Sequence, residues 1–245
     1  MPRGMEREHR APSARTAKAG EDPKNRRKHK RDRILKNFLA IDTSSKYMTV
    51  LAAKEGQTFF SHTPDCAMRH SVRLMGAIDG VLKEAKLSLD ECDFFSAVVG
   101  AGSFTGIRIG IATAKGFCLA EGKPSLPVTS FDVAAYNALD GERALALVDA
   151  LHGNYYACGF DERKNKILPP AYLSEKEVLR LIGEGYVPYS MEELPLSAKA
   201  AVRKADPVEG LKRAIAALSK DAGNFGELSA LYIRKSQAEE NRKDV

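Results

Sequence analysis

Cysteine pairs are missing from this 245-residue chain. Its four cysteines, Cys66, Cys92, Cys118 and Cys158, lie far apart, and none forms a CxxC. That argues against a disulfide framework and a Cys-rich zinc site, and it fits a reducing compartment such as the cytoplasm. No run of about 18 apolar residues occurs, so no segment is expected to span a membrane. The first residues hold no apolar stretch of the kind a secretory leader uses. The five histidines, His9, His29, His62, His70 and His152, give no HxxxH or HExxH spacing, and no metal site is expected.

Net charge is nearly absent from most of the chain. Residues 1–33 carry twelve Lys/Arg against five Asp/Glu, a net of +7, leaving 26 basic and 27 acidic residues in the remainder. Large apolar side chains are scarce in that first stretch, so it cannot offset its ordering entropy and is expected to be a disordered basic tail. The cluster Arg26, Arg27, Lys28, His29, Lys30, Arg31 reads either as a contact for RNA phosphates or as a solvated extension.

What is present is an alternation of strand and helix patterns. Hydrophobic residues make up 44% of the chain, enough for a sizeable core. A short apolar run, Phe38-Leu39-Ala40-Ile41, ends in Asp42-Thr43-Ser44. Met48–Ala53 and Gln57–His62 follow as strands around a Lys54-Glu55-Gly56 turn, a meander that opens a sheet. The spacing of His70, Leu74, Ala77, Ile78, Val81, Leu82 and Ala85 predicts a helix from about Arg69 to Lys86. Phe94–Gly100 reads as a buried strand, and a second helix runs to about Ala120. Strand patterns recur at Ser125–Thr129, Ala144–Asp149 and Tyr155–Phe160. Beyond Asp161 the signal weakens to helices over Glu175–Ile182 and Val208–Leu218 and a strand within Gly185–Ser190. Strands joined by crossover helices imply an α/β fold with a mixed sheet. A soft boundary near 140 divides the body into subdomains 34–140 and 141–245.

The segment Gly100-Ala-Gly-Ser-Phe-Thr-Gly106 carries the most information. It joins a buried strand to a helix start, where unpaired backbone N–H groups and the helix dipole favour an anion. Ser103 and Thr105 are candidate caps. No Lys-Ser/Thr follows, so it is not a P-loop, and its glycine spacing fits neither a dinucleotide fingerprint nor a nucleophile elbow. A ligand-free strand-to-helix connection remains an equal reading. Asp42-Thr43-Ser44 is open in the same way: a strand-end carboxylate with two hydroxyls can hold a metal-bound phosphate, or it can form an Asx or Ser/Thr turn.

Both helices carry small-residue seams, Gly76 with Gly80 in the first, and Gly106, Gly110, Ala114 and Ala112, Gly116, Ala120 in the second. Interior glycines cost about 0.5–1 kcal/mol each against alanine, tolerable where another backbone approaches closely. The approaching partner is either a helix of another chain or this chain's own sheet. His70 reads as a capping or packing residue. Asp149 beside His152 suggests acid–base chemistry, but no nucleophile accompanies them.

Together these residues resemble the bacterial TsaB family, also called YeaZ. The resemblance rests on Phe38-Leu-Ala-Ile-Asp-Thr-Ser44, Arg69-His-Ser71, Leu87-Ser-Leu-Asp90, Gly102-Ser-Phe-Thr-Gly-Ile-Arg-Ile-Gly110 running into Ala112-Thr-Ala-Lys-Gly116, Val128-Thr-Ser130, Val148-Asp-Ala150 before Tyr155-Tyr-Ala157, and Tyr232-Ile-Arg234 before Gln237-Ala-Glu239. It is good over 37–160 and loose over 160–240. It implies an actin-like ATPase (ribonuclease H-like) fold of two subdomains, each a mixed sheet with flanking helices, the second degenerate. It implies a non-catalytic role in making N6-threonylcarbamoyladenosine at position 37 of tRNA, as the partner of the transferase TsaD. TsaE would dock on that pair, tRNA would be reached only through the complex, and two copies would self-associate where TsaD is absent. Ala101 stands where the family has proline, and the basic tail is not a family feature.

The residues the resemblance assigns to the partner interface are His70, Leu74, Gly76, Gly80, Gly106, Arg108, Gly110 and Ala114. Those assigned to a nucleotide or phosphate are Asp42, Thr43, Ser44, Ser103, Thr105 and Gly106, with ATP or ADP and magnesium as the ligand at the assembled complex. No catalytic residue is assigned. Two further readings stand beside this one: an ATP-dependent phosphotransferase using Asp42 with magnesium, and an RNA-binding module working through residues 24–33.

Overall fold

The computed structural model describes residues 37–234. The basic stretch 1–33, its cluster at 26–31 and Gln237-Ala238-Glu239 lie outside the described residues. Strands β1 (Phe38–Asp42), β2 (Met48–Lys54), β3 (Gln57–Thr63), β4 (Phe94–Val98) and β5 (Ser125–Val128) form a five-stranded sheet in the order β3-β2-β1-β4-β5. The meander β1-β2-β3 is antiparallel. Its second turn is made by Glu55 and Gly56, both at positive φ (50° and 84°), the backbone a two-residue hairpin requires. β4 and β5 run parallel to β1 and so need crossovers. Helices α1 (His70–Ala85) and α2 (Phe104–Glu121) supply them.

The second sheet has the order β10-β9-β6-β7-β8, from β6 (Ala144–Asp149), β7 (Asn154–Phe160), β8 (Lys166–Ser174), β9 (Val187–Ser190) and β10 (Arg203–Lys204). Helix α4 (Glu175–Gly183) connects β8 to β9 and starts on a capping box, Ser174 with Glu177. Strand β8 was not expected, because it contains Pro169-Pro170. It is an edge strand, and the register slips between Ala157 and Gly159, so the prolines are not asked to donate to the ladder.

Two short helices lie between the sheets: α3 (Ser130–Ala135) and α5 (Pro207–Leu218). One apolar cluster joins Ala40 and Phe94 of the first sheet, Phe131 of α3, Leu211 and Ile215 of α5, and Phe160 of the second sheet. A second cluster packs α1 and α2 on the outer face of the first sheet, through Leu74, Ile78, Ile107 and Ala114. A third packs α4 on the outer face of the second sheet, through Val178 and Leu181. The order of layers is therefore α1/α2, sheet, α3/α5, sheet, α4, two mixed sheets with flanking helices.

The division near 140 takes no account of the chain's return. After α5 the backbone crosses back along the first sheet. The Phe225 ring meets Phe94 edge-on at 5.3 Å, the Ser125 hydroxyl donates to the Gly226 carbonyl at 2.6 Å, and Leu231 N–H donates to the Val99 carbonyl at 2.8 Å. All four cysteines are free thiols. Burial pushes the Cys92 and Cys158 thiols up to about 12, so neither is a ready nucleophile. No helix among the described residues is long and apolar enough to cross a membrane.

Candidate functional site

The glycine turn is clasped against the end of β1. Ser103 N–H donates to the Ser44 carbonyl at 2.6 Å. A Cβ at Gly102 would collide with that same carbonyl, and one at Gly106 would collide with the carbonyl of Thr43. Only glycine permits this approach, since each collision is with backbone. Ser103 caps α2, accepting from Gly106 N–H at 3.2 Å. Thr105 lies inside the first turn, exposed, and the cap falls to Ser103 alone.

The strand-end triplet is spent internally. Asp42 is fully buried, and its Oδ1 accepts from the Ser44 N–H (2.9 Å) and hydroxyl (2.7 Å) while Oδ2 accepts from the Tyr47 hydroxyl (2.9 Å). Burial raises the Asp42 carboxyl above its ordinary range, against the pull of the Ser44 bonds, and burial likewise drives the Tyr47 hydroxyl well up. The Thr43 hydroxyl donates to the Gly106 carbonyl at 2.7 Å, and Ser44 accepts from the Ser130 hydroxyl at 3.2 Å. These are the bonds of an Asx turn that locks β1 to α2 and α3. A carboxylate with no surface and three internal donors does not fit a magnesium–nucleotide ligand, and no chemistry is routed through one.

A cleft of about 360 Å³ opens between the ends of the two sheets, lined by Ser103, Thr105 and Ile109 on one side and by Leu147, Asp149 and Glu192 on the other. Glu192 accepts from the Ser45 hydroxyl, tying the loop after β9 to the loop after β1. Asp149 accepts from Leu151 N–H at 2.8 Å, in a turn that continues through exposed His152 at positive φ. That bond accounts for the Asp149–His152 spacing as a turn and not as an acid–base pair. His70 is buried at the start of α1. Its Nε2 sits 3.0 Å from the Tyr47 carbonyl, which can only accept, so Nε2 carries the proton and the residue is a packing group. Among the described residues no His/Cys/Asp/Glu group could hold a metal ion.

Of the three seams, one faces in and two face out. Gly110 looks inward at Ile41 and the Thr43 hydroxyl, Gly106 at Thr43, and Ala114, Leu74 and His70 are buried. These five are corrections to the interface residues expected from sequence: they pack on this chain's own sheet. Gly76, Gly80 and Gly116 have nothing within 4 Å of an added Cβ. Val72 (82% exposed) and Met75 stand on the same face of α1 as its two glycines, Leu119 (85%) is exposed on α2 beyond Gly116, and exposed Met68, ahead of α1, lines the cleft. Arg108 is exposed at the head of α2. Tyr232, visible in the sequence only as part of the Tyr232-Ile-Arg234 motif, places its hydroxyl to accept from Arg108 Nε at 2.9 Å.

The chain is similar to proteins of one family. The family model described as TsaD, tRNA N6-adenosine threonylcarbamoyltransferase, matches residues 62–221, more than half of the chain. The tRNA threonylcarbamoyladenosine biosynthesis protein TsaB of Escherichia coli is 31% identical over 133 residues, 53% of this chain and 57% of that protein. The TsaB of Haemophilus influenzae is 31% identical over 123 residues, 49% of this chain and 51% of that protein. The matched region thus spans about half the length of these curated relatives. Among solved structures, YeaZ from Pseudomonas aeruginosa superposes with a TM-score of 0.62 at 20% identity, covering 80% of this chain and 99% of that one, a likeness of fold.

Proposed function

The chain belongs to the TsaB (YeaZ) family, and from that premise we propose that it serves tRNA threonylcarbamoyladenosine biosynthesis as a non-catalytic partner of TsaD. The observation that carries this reading is the open face of α1 and α2. Val72 and Met75 stand exposed beside two glycines that leave the α1 backbone bare. Burying an exposed Val, Leu or Met side chain is worth about 1.5–3 kcal/mol, and bare glycines let a second helix come close enough to do it. A monomer gains nothing from such a stripe. The same face would join two copies where TsaD is absent. TsaE and tRNA would meet the assembled pair, not this chain alone.

The phosphotransferase reading loses its candidate carboxylate, since Asp42 is enclosed by its own turn. Reconstitution tests the proposal. The isolated chain should modify no tRNA, and adding it to TsaD, TsaE and the threonylcarbamoyl-adenylate synthase should produce modified adenosine. ATP turnover by the chain alone, lost on Asp42→Ala, would reverse the assignment.

A further inference from the structure

Arg108 is held in place on both its edges. Its guanidinium carbon stacks 3.8 Å from the Phe104 ring centroid, and its Nε donates to the Tyr232 hydroxyl at 2.9 Å. The two rings lie 5.2 Å apart and tilted by 30°, and each is nearly half exposed. No carboxylate among the described residues pairs with this guanidinium, although Lys115 farther along the same helix has one. Stacking and the Nε bond remove the rotamer freedom that makes most surface arginines poor binders, and they leave the two terminal nitrogens as a fork of donors.

We infer that Arg108, positioned by Phe104 and Tyr232, is the receptor for a carboxylate presented by a helix of the partner protein. This deepens the partner reading above and rests on it. Arg108 heads the exposed line of α2 that continues at Ala112, Gly116 and Leu119, each about one turn on. A helix lying along that line, over the bare Gly116, brings its side chains to the guanidinium. Aromatic residues and arginine are also the groups that anchor protein interfaces. An RNA strand would have no use for Leu119 or for Val72 on the neighbouring helix. A planar fork matches a carboxylate with two parallel bonds, which a lysine at the same place does not. Tethering the C-terminal segment accounts for the Tyr232 bond alone and leaves the terminal nitrogens without a role.

The test titrates the full chain with purified TsaD at two salt concentrations, with thermal unfolding of each variant alongside. Arg108→Ala should weaken binding at least about tenfold and flatten its salt dependence, Arg108→Lys should recover little, and Tyr232→Phe should fall between, all at unchanged melting temperature. Arg108→Ala within twofold of the parent, while Val72→Asp abolishes the complex, would overturn this inference and leave the partner reading standing. No complex with the parent chain would overturn both. Lost tRNA binding with unchanged TsaD affinity would assign Arg108 to phosphate and overturn the carboxylate.

Discussion

The Thr43 hydroxyl occupies the space that a side chain at Gly110 would need: a Cβ there would come within 2.5 Å of it. The same hydroxyl donates to the Gly106 carbonyl at 2.7 Å, so strand β1 and helix α2 are joined across a glycine-lined seam. Gly110→Ala should therefore destabilise the chain by about 1–3 kcal/mol, through overpacking against a fixed strand end. Gly80→Ala should do the opposite. Nothing lies within 4 Å of its added Cβ, and replacing a helix glycine gains about 0.5–1 kcal/mol. Denaturant unfolding of the two variants reads both signs.

Asp42 gives the fold a pH signature. Burial raises its folded pKa above the 3.8 of an unhindered aspartate. In the interval between those values the folded chain binds more protons than the unfolded one, so this residue's contribution lowers stability as pH rises. Asp42→Asn keeps an oxygen for the Ser44 donors and cannot ionise. The stability of the variant minus that of the parent should grow as the pH rises above about 4. Unfolding midpoints at a series of pH values check it, and a difference that shrinks with pH would mean the charge is stabilising.

The C-terminal return is part of the core. Leu228 is 1% exposed and packs with the α1/α2 cluster. Leu228→Ala should cost about 2–5 kcal/mol, a large share of a domain's stability, readable in a thermal melt.

These residues also mark where the sequence was legible. The β1-β2-β3 meander, both outer helices and the parallel strands followed from alternation and helical spacing, because each has one face in a core. The seams did not, since spacing gives a face and not what the face touches: Gly106 and Gly110 face in, Gly76 and Gly116 out. Strand β8 was hidden by Pro169-Pro170, which only an edge position tolerates. The run from Phe225 to Arg234 has no period at all, so the Tyr232–Arg108 bond could not be read from it. Asp42 was visible as a strand-end carboxylate, but its enclosure by Ser44 and Tyr47 depends on how the turn closes.

The account stands on the exposed face of α1. Light scattering of the chain mixed with TsaD after gel filtration measures it directly. One complex carrying both chains is predicted for the parent, and separate components for Val72→Asp at unchanged circular dichroism. A Val72→Asp chain that still co-elutes with TsaD, or a parent chain that never does, would contradict it.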